Sequence, residues 1–193
     1  AFSLVGILLG LFGATALAAN QIVQSVGGVL YMLPIGVATA TSIRIGHAIG
    51  AGELDWRRPI ARTALLMVTG WMSLVTVALI LTGGQIAAAL SQDPEVIATA
   101  TGMFIVVALI QVADGVQSTA LGALCGTRDF NWPTGVTLAS YWLLALPLGA
   151  FLGFVLDLGP MGLWAGYGLG TVMAAVLLPV RFWTLTQDGK APR

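Results

Sequence analysis

Residues 107–129 read VALIQVADGVQSTALGALCGTRD. Between Val107 and Cys125 the one charged residue is Asp114, with Gln111 three positions before it and Gln117 three after. On a helix of 3.6 residues per turn these three fall within about 120° of arc, and Ser118 extends the same stripe. The result is a polar line on an apolar rod. A carboxylate at mid-membrane costs about 2.5–3.5 kcal/mol on insertion scales, and such residues normally face a bundle interior or a water-filled cavity. Why an apolar segment keeps one acid is therefore the question that organises the rest of the chain.

The surroundings identify lipid as the main solvent. The 193 residues are 58% hydrophobic and only 8% charged, with a mean hydropathy of +0.94. Soluble domains carry about 25% charged residues, so this chain has too few to coat a water-facing surface. Six segments approach the roughly 20 apolar residues that span a bilayer. They are 1–19, 22–43 with Pro34 inside, 60–83, 101–125, 134–156 with Pro147, and 161–183 with Pro179. Continuous apolar runs, rather than ten-residue stretches of alternating polarity, predict helices instead of a membrane barrel. The expected fold is an all-α polytopic membrane protein, with 1–183 as a six-span lobe whose first span is cut at its start. Residues 184–193 are read as a cytoplasmic tail. A chain beginning at Ala1 inside an apolar run reads as part of a longer protein.

Charge sets the expected orientation. Three connectors, after the second, fourth and sixth spans, hold all eight basic residues: Arg44, Arg57, Arg58, Arg62, Arg128, Arg181, Lys190 and Arg193. The others hold only the acids Asp93, Glu95 and Asp157. Basic residues collect on the cytoplasmic side, which predicts a multi-pass protein of the inner (plasma) membrane with its carboxyl terminus inside. In SQDPEV, Ser91 or Asp93 can cap a helix, Pro94 suits its first turn and Glu95 its positive end. A short amphipathic helix along the outer surface is expected there.

Several chemistries are excluded. With one histidine, His47, and one cysteine, Cys125, there is no histidine-rich metal site and no internal disulfide. The sequence has no G-x-S-x-G, no H-E-x-x-H and no Walker A lysine motif, so protease and nucleotide-driven pump readings have no residues to carry them. Zero net charge gives no reason to expect nucleic acid. No catalytic residue and no metal site is assigned.

The remaining reading is an ion-coupled one. A buried carboxyl group can take a proton from one side and release it to the other, or hold a monovalent cation through oxygen ligands. Asp114 is the candidate cation-coupling residue; a purely structural polar contact is the competing reading. Gln111, Gln117, Gln24 and Tyr141 are candidates for cavity lining and for support of substrate or ion, since amides and hydroxyls can donate or accept. Pro34 is a candidate hinge, because proline removes a helical hydrogen bond. No basic residue accompanies Asp114 in the interior of a span, and Arg44 and Arg181 sit at cytoplasmic ends where they can snorkel, so the fixed charge of a cavity would be negative, which favours lipophilic cations.

Five stretches, in order, resemble the multidrug and toxic compound extrusion (MATE) family. GATALAANQIV is similar to the end of its seventh helix and the start of its eighth. LPIGVATATSIRIGHAIGAGE is similar to the eighth and the loop beyond, and QVADGVQSTALGALCGTRD to the tenth. YWLLALPLGAFLGF resembles the eleventh and GLWAGYGLG the twelfth. The resemblance implies the carboxyl-terminal half of a twelve-helix, two-lobe antiporter that exports organic cations against sodium or proton entry. Asp114 matches the coupling acid of the tenth helix. Another family acid, near the start of the seventh helix, would fall before Ala1. Cys125 departs from the arginine common in the family's G-x-L-R-G pattern. The implied partners are membrane lipid, small organic cations and the amino-terminal six-helix lobe, with no cofactor beyond the coupling Na⁺ or H⁺. Two alternatives stand: a flippase of the same superfamily for lipid-linked saccharides, and a non-transporting membrane assembly subunit.

Overall fold

The computed structural model describes residue 6 and residues 9–187. Among these residues it is helical throughout, without a strand. Five helices are long and apolar enough to cross a membrane: α1 (Ala14–Gly50), α2 (Arg57–Leu90, entered through a 3₁₀ turn at Leu54–Trp56), α3 (Pro94–Gly126), α4 (Asn131–Val155) and α5 (Gly159–Leu185). Of the expected first span, 1–19, the beginning lies outside the described residues, as does the tail beyond 187.

Two boundaries differ from expectation. Asn20 and Gln21 read as a connector between spans, yet they lie inside α1, and Asn20 is buried. The actual break is at residues 11–13, where Gly13 adopts φ +100°, a conformation that side chains disfavour. Polarity suggested the break; backbone permissiveness makes it. SQDPEV forms no separate outer-surface helix. The Asp93 carboxylate accepts a hydrogen bond from the Glu95 N–H at 2.9 Å, and Pro94 opens α3 itself, which continues unbroken to Gly126. Asp93 caps and Pro94 starts the helix as expected, but no helix terminator follows, so one long helix results.

Helix α3 is the hub. It packs on α1, α2 and α5, and α4 packs on α5. Glycine makes the closest approaches. A Cβ on Gly122 would overlap the carbonyl of Ala38, and one on Gly126 would lie 2.7 Å from the Ser42 carbonyl oxygen, so α1 and α3 touch backbone to backbone. On α5, Gly166 lies against the backbone of Gly149 and Gly162 against Leu152 of α4. Without a hydrophobic drive between helices in lipid, close packing of small residues is what associates them. A second contribution is an interhelical hydrogen bond, from the Thr76 hydroxyl on α2 to the Ala108 carbonyl on α3, at 2.7 Å.

Helix α4 is irregular around Pro147. Wide π-turns cover Ser140–Ala145 and Phe151–Val155, on either side of the regular turn that holds the proline. Proline has no N–H to give back to the preceding turn, and a wide turn is one way to absorb that loss. At the basic end, the Arg58 guanidinium donates to the Trp183 carbonyl at 3.0 Å and to the Thr186 hydroxyl at 3.1 Å. Arg181 pairs with Asp129 at 3.0 Å and lies 5.3 Å from the Trp132 ring centroid. These contacts bring the start of α2, the α3–α4 turn and the end of α5 to one end of the bundle.

Candidate functional site

A cavity of about 610 Å³ opens between α1, α3, α4 and α5. Each helix contributes a defined face. From α1 come Gln24, Gly27, Gly28 and Tyr31, spaced so that they share one side of the helix. The two glycines matter here because a Cβ at either would meet nothing within 4 Å, so their missing side chains are open cavity space. From α3 comes the predicted stripe, Gln111, Asp114, Gln117 and Ser118. The flank of α3 next to Gln111 is closed by α2: a Cβ on Gly115 would lie 2.7 Å from Val68 and 2.8 Å from Met72. Tyr141 of α4 and Trp164 and Tyr167 of α5 complete the wall.

Asp114 is the one charged group among the described residues that line this cavity. It is half-buried, and its neighbours are neutral polar and aromatic side chains. The Tyr141 hydroxyl donates to Gln117 Oε1 at 2.9 Å and lies 3.5 Å from Thr171 Oγ1. Thr171 in turn donates to the Tyr167 carbonyl at 3.1 Å. The Tyr141 and Tyr167 rings stack with centroids 5.2 Å apart, and Trp164 meets Tyr167 edge-on at 5.6 Å. Ser118 uses its proton on the Gly115 carbonyl at 3.0 Å. An acid framed by three tyrosines and a tryptophan can attract a cation through both its charge and the negative faces of the rings.

Tyr141 reaches the cavity from the wide turn Ser140–Ala145. That turn lies directly on α5 at Gly170, where a Cβ would come 2.6 Å from the Ser140 carbonyl oxygen and from Ala145 Cβ. A larger residue at 170 would push α4 off α5 and separate Tyr141 from Tyr167 and Thr171.

All five residues singled out for cavity or coupling roles, Asp114, Gln111, Gln117, Gln24 and Tyr141, line this one cavity. Pro34, the hinge candidate, is buried within α1 three residues beyond Tyr31 and outside the lining. Sequence reasoning missed Tyr31, Trp164 and Tyr167. Tyr31 lies two helical turns beyond Gln24 on the same face, a signal that periodicity could have supplied. Trp164 and Tyr167 sit among the glycines of GLWAGYGLG, where packing masked them.

The sequence pattern of the MatE family matches residues 1–151. The chain is 38% identical over 186 residues to a probable multidrug resistance protein NorM of Xylella fastidiosa, covering 96% of this chain and 40% of that protein. It is 35% identical over 184 residues to the multidrug resistance protein PmpM of Pseudomonas aeruginosa, covering 93% and 39%. The chain thus spans about 40% of the length of the curated relatives it matches. In fold it is similar to the crystal structure of the eukaryotic MATE transporter AtDTX14, with a TM-score of 0.85, 22% identity, and coverage of 96% of this chain and 44% of that one.

Proposed function

The chain belongs to the MatE family, and from that premise we propose that it forms the carboxyl-terminal lobe of an ion-coupled multidrug exporter, a secondary transporter rather than an enzyme. The observation that carries this reading is the cavity whose single charged lining group, among the described residues, is Asp114. Its substrates are small lipophilic cations, matched by one negative charge and an aromatic wall. A flippase for anionic lipid-linked saccharides would call for basic groups in this cavity, and none lines it among the described residues. A non-transporting assembly subunit would leave the acid without a use.

Transport follows from differential affinity. Binding of the coupling ion at Asp114 favours one facing of the cavity, and substrate favours the other. Rocking of this lobe against an amino-terminal lobe then alternates access. The basic end, with Arg58, Arg62, Arg128 and Arg181, faces the cytoplasm in this reading. In the complete protein, Asp114→Asn abolishes ethidium efflux while membrane abundance stays normal. Undiminished efflux from a well-expressed variant overturns the proposal.

A further inference from the structure

We infer that Pro147 is a positioning residue for the substrate cavity: the wide turn ahead of it takes up one residue of α4 and so brings Tyr141 round onto the cavity wall. The inference rests on the exporter reading and deepens it by naming a residue outside the cavity lining that sets substrate affinity.

In a regular helix the N–H of residue 147 would bond to the Leu143 carbonyl. Proline has no N–H, and its ring collides with that carbonyl. The turn ahead of it is closed over five residues instead of four: the Leu146 N–H bonds to the Tyr141 carbonyl. Beyond the proline the regular ladder resumes, with the Phe151 N–H on the Pro147 carbonyl. The wide turn Ser140–Ala145 thus takes up one extra residue, which rotates the chain on its two sides by about 100° relative to each other.

The seam between α4 and α5 records that rotation. Gly149 lies on Gly166, and Ala145, one turn earlier, lies on Gly170. Tyr141 comes eight residues before Gly149. A regular helix would set the two about 80° apart; with one residue taken up they are about 20° apart. Ser140 checks the count. It comes five residues before Ala145, about 140° away in a regular helix and about 40° away with one residue taken up. Its carbonyl oxygen and the Ala145 Cβ would both lie 2.6 Å from a Cβ on Gly170, so the two share a face. In this register Tyr141 stacks on Tyr167 at 5.2 Å between ring centroids and donates to Gln117 Oε1 at 2.9 Å. In the regular register Tyr141 would move to the place that Ser140 holds, a tight seat against Gly170 where the serine side chain is buried. Trp142 would then take the place of Tyr141. Packing at Gly170 fits the shifted register, and Pro147 denies the regular one its hydrogen bond.

The test measures ethidium binding by fluorescence anisotropy to the complete protein in detergent micelles. Pro147→Ala restores the N–H and should weaken binding about tenfold, the order of one cation–aromatic contact. Deleting Leu143 removes the extra residue; its side chain is 77% exposed, so little packing goes with it. The deletion alone, with Pro147 kept, should also weaken binding. The two changes together give a regular helix with Tyr141 back in register, and binding should return to the wild-type level. Adding Tyr141→Ala to that pair should bring the tenfold loss back. Wild-type affinity in folded Pro147→Ala, or weak binding in the folded pair, overturns the inference and leaves the exporter reading intact, as does a pair whose affinity ignores Tyr141→Ala. If Pro147→Ala alone does not fold, the pair decides, and its failure to fold also overturns the inference. A wild type that binds no ethidium removes the exporter reading, and this inference with it.

Discussion

Two glycines on different helices allow a matched experiment on how the lobe is held together. At Gly166 of α5, an added Cβ would overlap Cα and N of Gly149 and lie 3.0 Å from the Leu148 carbonyl carbon. At Gly28 of α1, an added Cβ meets nothing within 4 Å. Both are helical, so Gly→Ala at either gains the same intrinsic propensity, about 1 kcal/mol. That gain cancels in the difference between the two variants. What remains is the cost of overpacking at Gly166. Carbon contacts prefer 3.5–4.0 Å, and the obstructing atoms are backbone, which cannot swing aside as a flexible side chain can. The cost should therefore sit in the upper part of the usual 1–3 kcal/mol range. Gly166→Ala should be less stable than Gly28→Ala by about 2–3 kcal/mol, measured by reversible denaturant unfolding of the complete protein in mixed micelles. Equal stabilities would refute the claim that α4 and α5 meet backbone to backbone at Gly149 and Gly166.

The remaining predictions address the cavity, the caps and the basic end. Gly27→Leu should occupy cavity space and slow efflux while unfolding stays at the wild-type level, since the position opens into the cavity; efflux at the wild-type rate would place substrate elsewhere. Asp93→Ala should cost about 1 kcal/mol by removing the cap on Glu95, and Asp93→Asn should recover most of it; hydrogen exchange at the start of α3 reports both. Thr76→Val removes the bond to the Ala108 carbonyl and should cost about 0.6 kcal/mol, the average for such bonds in a membrane. Asp129→Asn breaks a partly exposed ion pair and should cost less than about 1 kcal/mol, and less still at high salt.

The polar stripe at the centre of the site was legible because α3 carries that stripe alone. Four polar residues of one stripe can be placed on one face by counting, and membrane energetics argues that the acid among them faces inward. The partners across the cavity were legible only in part. Gln24 and Tyr141 stand out as polar residues inside apolar spans. Tyr31 and Tyr167 are aromatic and blend into an apolar background, and only the packing of α1 and α5 around α3 directs them at Asp114. Element boundaries failed where polarity substituted for backbone argument: Asn20 and Gln21 looked like a turn, whereas Gly13 makes one. The expected surface helix at SQDPEV failed for a related reason. A helix start was visible, but nothing in the following residues could stop it before Gly126.

Local chemistry is what a sequence can determine here. The excess of apolar residues dictates helices, because lipid offers no partner to an unpaired backbone group. The periodicity of α3 dictates one polar face, and the clustering of arginines assigns the basic connectors to a common end. Tertiary structure alone decided which face of each helix meets which. Those choices depend on close contact between particular glycines and facing backbones, at Gly122 with Ala38 and at Gly166 with Gly149. It also decided where Tyr141 points, because a wide turn near Pro147 resets the direction of every side chain it carries. Spacing along one helix is a local property, whereas the meeting of four helices around an acid depends on shapes that only packing brings together.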